Sequence, residues 1–192
     1  MITEQQYGTA AATIRCEVPA IKAVDAVESN GGGMIDGKPV ILFEPHIFWK
    51  ELRERGIDPN KHTKGNSDIL YPVWGTVPYP RGQAAQWARL DRAVKIHREA
   101  ALESCSWGRY QICGFNHKLV GCPTVQDFVN RMYKGDAEHL MMFVQYVKAV
   151  KLDDELQNKD WAGFARGYNG PAYTKNKYDV KLKAAYLKAK GA

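Results

Sequence analysis

No stretch of the 192-residue chain holds about 18 consecutive apolar residues, the length a bilayer-spanning helix requires. The N-terminal "MITEQQYGTAA" lacks a basic region followed by an apolar run, so a cleavable signal is not expected and synthesis in a cytoplasm is. Cysteine is scarce. Cys16, Cys105, Cys113 and Cys122 form no C-x-x-C pair and match no zinc-finger spacing, so neither a metal nor a disulfide is expected, and the thiols read as small core residues. Low-complexity tracts and internal repeats are also missing, which excludes a flexible linker or a solenoid. What is present is ordinary for a globular domain: 45% hydrophobic and 25% charged residues, in a length that suits one domain over 1–192. The charge is less ordinary. The net value is +6, and lysines thicken toward the C-terminus in "YTKNKYDVKLKAAYLKAKG". Such an excess favours an anionic partner, whether a nucleic acid, a membrane surface or an acidic wall polymer; no nucleic-acid motif accompanies it.

Helical signals dominate. "TEQQ" at Thr3–Gln6 has the form of a capping box that opens a helix to about Arg15. Pro19 suits the first turn of a second helix, along which Ala20, Ile21, Val24 and Val27 form a stripe. That helix is expected to stop at Glu28–Asn30, before Gly31–Gly33. Asp36-Gly37 is a two-residue hairpin signal between Met34-Ile35 and Val40–Phe43. Pro45 then starts a third helix that Gly56 closes. Residues 57–80 carry no periodicity and read as an ordered loop shaping one side of a site. From Gly82, one helical stripe (Ala84, Trp87, Leu90, Val94, Ala101, Leu102) runs to about Cys105. Thr124 caps "VQDFVNRMY", "AEHLMMFVQYVKAV" reads as a helix crossing the core, and a basic amphipathic helix ends the chain. The expected fold is mainly α, a helical bundle around a core helix with one small β-hairpin near residues 34–43.

Two carboxylates attract chemical interest. Hydrolysis of a glycosidic bond needs an acid still protonated near neutral pH, and a carboxyl gains that property by partial burial among apolar groups. Glu28 sits on the last turn of an apolar-striped helix, beside glycines that would let a polymer approach the backbone. Glu44, at the exit of the hairpin, supplies the second carboxylate such chemistry commonly uses. Asp36 is the poorer partner because it serves the turn. Each residue also has a plain reading: Glu28 as a solvated helix end, Glu44 as a favourable charge at the N-terminus of the next helix, and His46 as a structural neighbour.

Three segments in order carry a resemblance: Glu28-Ser29; Gly108-Arg109-Tyr110-Gln111-Ile112; and Tyr168-Asn169-Gly170-Pro171. They resemble the catalytic Glu-Ser, the "GLMQI"-type and the "AYNAGP"-type segments of goose-type lysozymes and lytic transglycosylases in the lysozyme-like superfamily. With "ILFEPHIFW" added, the arrangement is more similar still to the phage and prophage N-acetylmuramidase (endolysin) family, over roughly Ala20 to Tyr186.

The resemblance implies a lysozyme-like α+β fold and a peptidoglycan hydrolase cleaving the β-1,4 bond between N-acetylmuramic acid and N-acetylglucosamine. It implies Glu28 as general acid and Glu44 as the second carboxylate. Ser29, Tyr110, Gln111, Ile112, Tyr168 and Asn169 would contact substrate, with the Tyr168 hydroxyl reaching the acid or the sugar. By analogy with goose-type enzymes the stereochemistry would be inverting. "GRYQI" departs from "GLMQI" by a charged and an aromatic residue, which bears on the subsite contacts. No cofactor or metal is implied. The partner would be peptidoglycan strands rather than nucleic acid, with the basic C-terminal helix in contact with an anionic outer membrane. A monomer acting on the wall after release is expected. A lytic transglycosylase using the same Glu28, and a non-catalytic wall-binding or phage structural module, are the other readings.

Overall fold

The computed structural model describes residues 1–29 and 32–191. Asn30 and Gly31, at the heart of the expected glycine-rich stop, lie outside the described residues. Helix α1 (Glu4–Thr13) opens on the capping box, with the Thr3 and Gln6 side chains and backbones satisfying one another. Helix α2 (Val18–Glu28) has Pro19 in its first turn and buries Ala20, Ile21, Ala23, Val24 and Asp25. Strands β1 (Met34–Ile35) and β2 (Lys38–Pro39) pair through the Asp36-Gly37 turn, both turn residues having positive φ (49° and 74°), as a tight hairpin turn demands.

The return arm of that hairpin is shorter than the sequence suggests. After Pro39 the chain leaves β1, and β3 (Ile41–Phe43) joins a separate three-stranded antiparallel sheet with β4 (Cys105–Trp107) and β5 (Ile112–Cys113). Proline lacks the N–H that would continue the first ladder. In the new register Leu42, Ser106 and Cys113 stand opposite one another and share a face. β3 is an edge strand whose open side is covered by side chains of α4 (Gln83–Val94). Gln83 accepts from Ile41 N (2.8 Å) and donates to Ile41 O (3.1 Å), and Gln86 accepts from Phe43 N (3.2 Å). This corrects the expected stripe: Ala84 is exposed, and the inward face of α4 carries Gln86, Arg89, Leu90 and Ala93.

The expected single helix to Cys105 is two. α4 stops at Val94, and His97 caps α5 (Arg98–Glu103) by accepting from Ala100 N. Helix α3 (Pro45–Glu54) precedes the 57–80 loop, which holds a 3-10 turn at Pro59–His62 and buries Ile69, Leu70 and Tyr71. Thr124 caps α6 (Val125–Met132). α7 (Asp136–Ala149) is the core helix, buried through His139, Leu140, Met142, Phe143, Val144 and Val147. After α8 (Asp153–Asn158) and α9 (Trp161–Asn169), α10 (Tyr178–Lys190) lies along α2, the most extensive packing of any two elements. α10 is not amphipathic in the expected sense. Leu182 and Tyr186 are buried while Val180 and Leu187 are exposed on the other side. The fold is mainly helical with small antiparallel sheets around one contiguous core. Among the described residues no helix is long and apolar enough to cross a membrane.

Candidate active site

Two cavities of about 400 Å³ each lie end to end on the sheet side of α2. One is walled by Met34, Ile35, Val40, Leu42, Gln83, Gln86 and Arg109. The other is walled by Tyr110, Ile112, Cys113, Phe115, Tyr146, Tyr168, Asn169 and Tyr178. Glu28 and Gln111 line both, so they form the waist of one continuous groove. Glu28 is the only carboxylate among the described lining residues. Burial pushes its pKa upward; the Asn169 amide, which donates to Oε1 at 3.0 Å, and the Lys181 charge oppose that only in part. A largely buried carboxyl that retains its proton above the ordinary range, open to a groove on both sides, can protonate a leaving oxygen.

The opposite side of the waist is a backbone device. β4 and β5 are joined by Gly108–Gln111, with Gly108 (φ 70°) and Gln111 (φ 49°) in the left-handed region. For glutamine that conformation is costly, and such residues gather at functional sites. The Gln111 amide donates to Gly108 O (2.8 Å) while its side chain is exposed in the groove. Tyr110 stacks on Phe143 at 4.6 Å and donates to Asp25 Oδ1 (2.7 Å), and Ile112 contributes from β5. Tyr168 stacks on Phe164, but its hydroxyl donates to Tyr110 O (2.8 Å) and not to Glu28. Its inward neighbour is a carbonyl, so the acid's direct protein partner is Asn169 alone among the described hydrogen bonds.

Two expected site residues stand apart. Ser29 is the C-cap of α2, its hydroxyl donating to Asp25 O at 2.5 Å, and is not among the described lining residues. Glu44 is the N-cap residue of α3 without a capping bond. Its carboxylate accepts from the Tyr79 hydroxyl and lies 3.5 Å from His46 Nδ1. It lines neither half of the groove among the described residues; it lies one residue beyond β3, where its N–H donates to Ser104 O (2.9 Å).

Sequence reading missed a buried network behind the waist. The Asp25 carboxylate accepts from Arg109 Nε (2.5 Å) and Nη2 (2.8 Å), from Tyr7 (2.6 Å) and from Tyr110. Burial alone would raise the Asp25 pKa, but these donors hold it below the ordinary value. Arg109 also donates to Asp136 Oδ2 (3.1 Å), whose Oδ1 accepts from Gly33 N (2.9 Å). His139, kept neutral by burial, accepts from Arg109 N through Nδ1 (3.2 Å) and faces Met132 O with Nε2 (2.7 Å). The departure in "GRYQI" is thereby explained: the charged residue is spent inside the protein. Gly33 is likewise required for packing, because a Cβ there would meet His139 Nδ1 at 2.2 Å and Arg109 N at 2.7 Å. Gly32, the other described glycine of the run, has open space where a Cβ would stand. Tyr178, on α10, also lines the groove, and sequence gave no sign of it.

A family profile described as N-acetylmuramidase matches residues 17–190. A solved structure, the crystal structure of Burkholderia AP3 phage endolysin, superposes with a TM-score of 0.90 at 39% identity, covering 99% of this chain and 72% of that one. No curated protein matches the chain.

Proposed function

The chain belongs to the N-acetylmuramidase family of peptidoglycan-cleaving glycoside hydrolases, and on that premise we propose that it is a phage-type endolysin whose general acid is Glu28. The observation that carries the reading is the position of one half-buried carboxyl, its pKa raised by burial, at the waist of a two-sided groove. A glycan strand laid along the groove puts its scissile β-1,4 linkage between N-acetylmuramic acid and N-acetylglucosamine over Glu28. The carboxyl then protonates the glycosidic oxygen, and the sugar departs through an oxocarbenium-like transition state. The half lined by Tyr146, Tyr168 and Tyr178 gives sugar rings an aromatic wall, and the glutamine-lined half offers donors and acceptors. As an endolysin the protein acts on the wall after release from the cell that makes it.

Glu44 is the second carboxylate of this reading. Its place one residue beyond β3, the strand that brings Leu42 to the groove, suits a base for water and an inverting route. Glu28→Gln should lower turnover of purified peptidoglycan about 10²–10⁴-fold, the range of general acid catalysis, with the fold intact. Glu44→Gln should give a loss of similar order; retained activity would remove Glu44 from the mechanism. A second reading follows from the single carboxylate lining the groove: a lytic transglycosylase needs one acid–base only. Mass spectrometry of the products separates the two, since 1,6-anhydro ends would overturn hydrolysis by water.

A further inference from the structure

Arg109 holds the chain on both sides of Glu28, and the proposed bond cleavage gives it no task. Three residues before the acid, its guanidinium forks onto Asp25 at 2.5 and 2.8 Å. Five residues after the acid, Gly33 N is bound by the same Asp136 carboxylate that accepts from Arg109 Nη1. Its own backbone N–H is fixed by His139, and the missing Cβ of Gly33 is what allows the two segments to meet. One side chain thus ties the last turn of α2, the loop leaving it and the start of α7 to the Gly108–Gln111 turn across the groove.

We propose that Arg109 is a positioning residue for the catalytic acid, a clamp that fixes Glu28 relative to Gln111 and the groove. The inference rests on the reading of Glu28 as that acid. The bidentate geometry is the reason arginine is needed, because lysine keeps the charge but cannot bridge Asp25 and Asp136 with one planar fork. A misplaced acid costs turnover more than binding, since an error of about 1 Å in the reacting geometry can cost roughly 10²-fold.

The test measures kcat, KM and Tm on soluble peptidoglycan fragments for wild type, Arg109→Lys, Asp136→Asn and Arg92→Gln. Arg109→Lys should lower kcat about tenfold to hundredfold with KM nearly unchanged. Asp136→Asn should give a smaller loss, because its Oδ1 can still accept from Gly33 N. Arg92→Gln, which breaks an ion pair with Asp68 where neither residue is among the described lining of the groove, should leave kcat at wild type. The proposal is overturned if Arg109→Lys folds with wild-type kcat, if KM rises while kcat holds, or if activity falls only in proportion to folded protein. If Arg109→Lys does not fold, Asp136→Asn decides by the same criteria. Glu28→Gln in the same assay tests the underlying reading separately, since an active variant would remove the acid and not merely the clamp.

Discussion

At the scale of single residues, the burial that raises the pKa of the Glu28 carboxyl is also a burden on the fold. Its folded pKa lies above its unfolded one, so between the two values the folded state holds more protons and stability falls as pH rises. Below the ordinary carboxyl value, about 4.3, both states are protonated and the penalty vanishes. Glu28→Gln keeps an acceptor for the Asn169 amide and removes the charge. It should therefore raise stability at pH 7 by about 0.5–2 kcal/mol, as relief of a functional compromise commonly does, and by almost nothing at pH 4. Thermal melts of both proteins at the two values check this; an equal gain at both would mean that charge burial is not the cause. The place of Glu28 on the last turn of α2 was legible in the sequence because a striped helix ending before glycines is a local pattern. Arg109 was not, since nothing local reveals that Asp25 and Asp136, far apart in sequence, converge on it. The protein partner of the Tyr168 hydroxyl, a carbonyl 58 residues away, was hidden for the same reason.

At the scale of elements, local chemistry announced most boundaries and long-range pairing announced none. The Thr3 and Thr124 caps, Pro19, Pro45 and the Asp36-Gly37 turn all act within a few residues, and each sits where its side chain implies. The β3–β4 pairing joins residues 62 to 66 apart, Ile41 to Trp107 at one end, and two- and three-residue strands have no period to read. Gln83 and Gln86 fell outside the expected apolar stripe of α4 because the strand edge they satisfy lies elsewhere in the chain. That edge yields a prediction. Gln86 is 4% exposed, accepts from Phe43 N and donates to Pro80 O (2.9 Å). Gln86→Leu preserves bulk and strands both groups, so it should cost about 1–3 kcal/mol for each group left without a partner. Chemical denaturation should show a lower midpoint with an unchanged slope. A neutral effect would mean that water replaces the glutamine at this edge.

For the whole molecule, the C-terminal helix is where charge and architecture have to be separated. Sequence presents α10 as a basic amphipathic segment, suited to an anionic surface. In the fold it is a structural wall: Leu182 and Tyr186 are buried, Tyr186 donates to Glu17 (2.6 Å), Tyr178 lines the groove, and the Lys181 charge acts on Glu28. Each large apolar side chain so buried contributes about 1.5–3 kcal/mol, against a net stability of only about 5–15 kcal/mol for a typical domain. Deleting residues 178–192 should therefore unfold the protein or abolish its activity even on soluble fragments. The exposed lysines make the opposite prediction. Lys183→Gln with Lys188→Gln removes a third of the net charge of +6 from positions with exposed side chains. Stability should change by less than about 0.5 kcal/mol per site, and turnover of soluble fragments should hold. Association with intact anionic cell wall should weaken at low salt, with the difference from wild type closing as ionic strength rises and screening shortens the reach of the lysines. Sedimentation of each protein with whole cell walls across a salt series reads this directly. Identical salt curves would mean that the C-terminal charge plays no part in reaching the substrate, leaving α10 with its packing role alone.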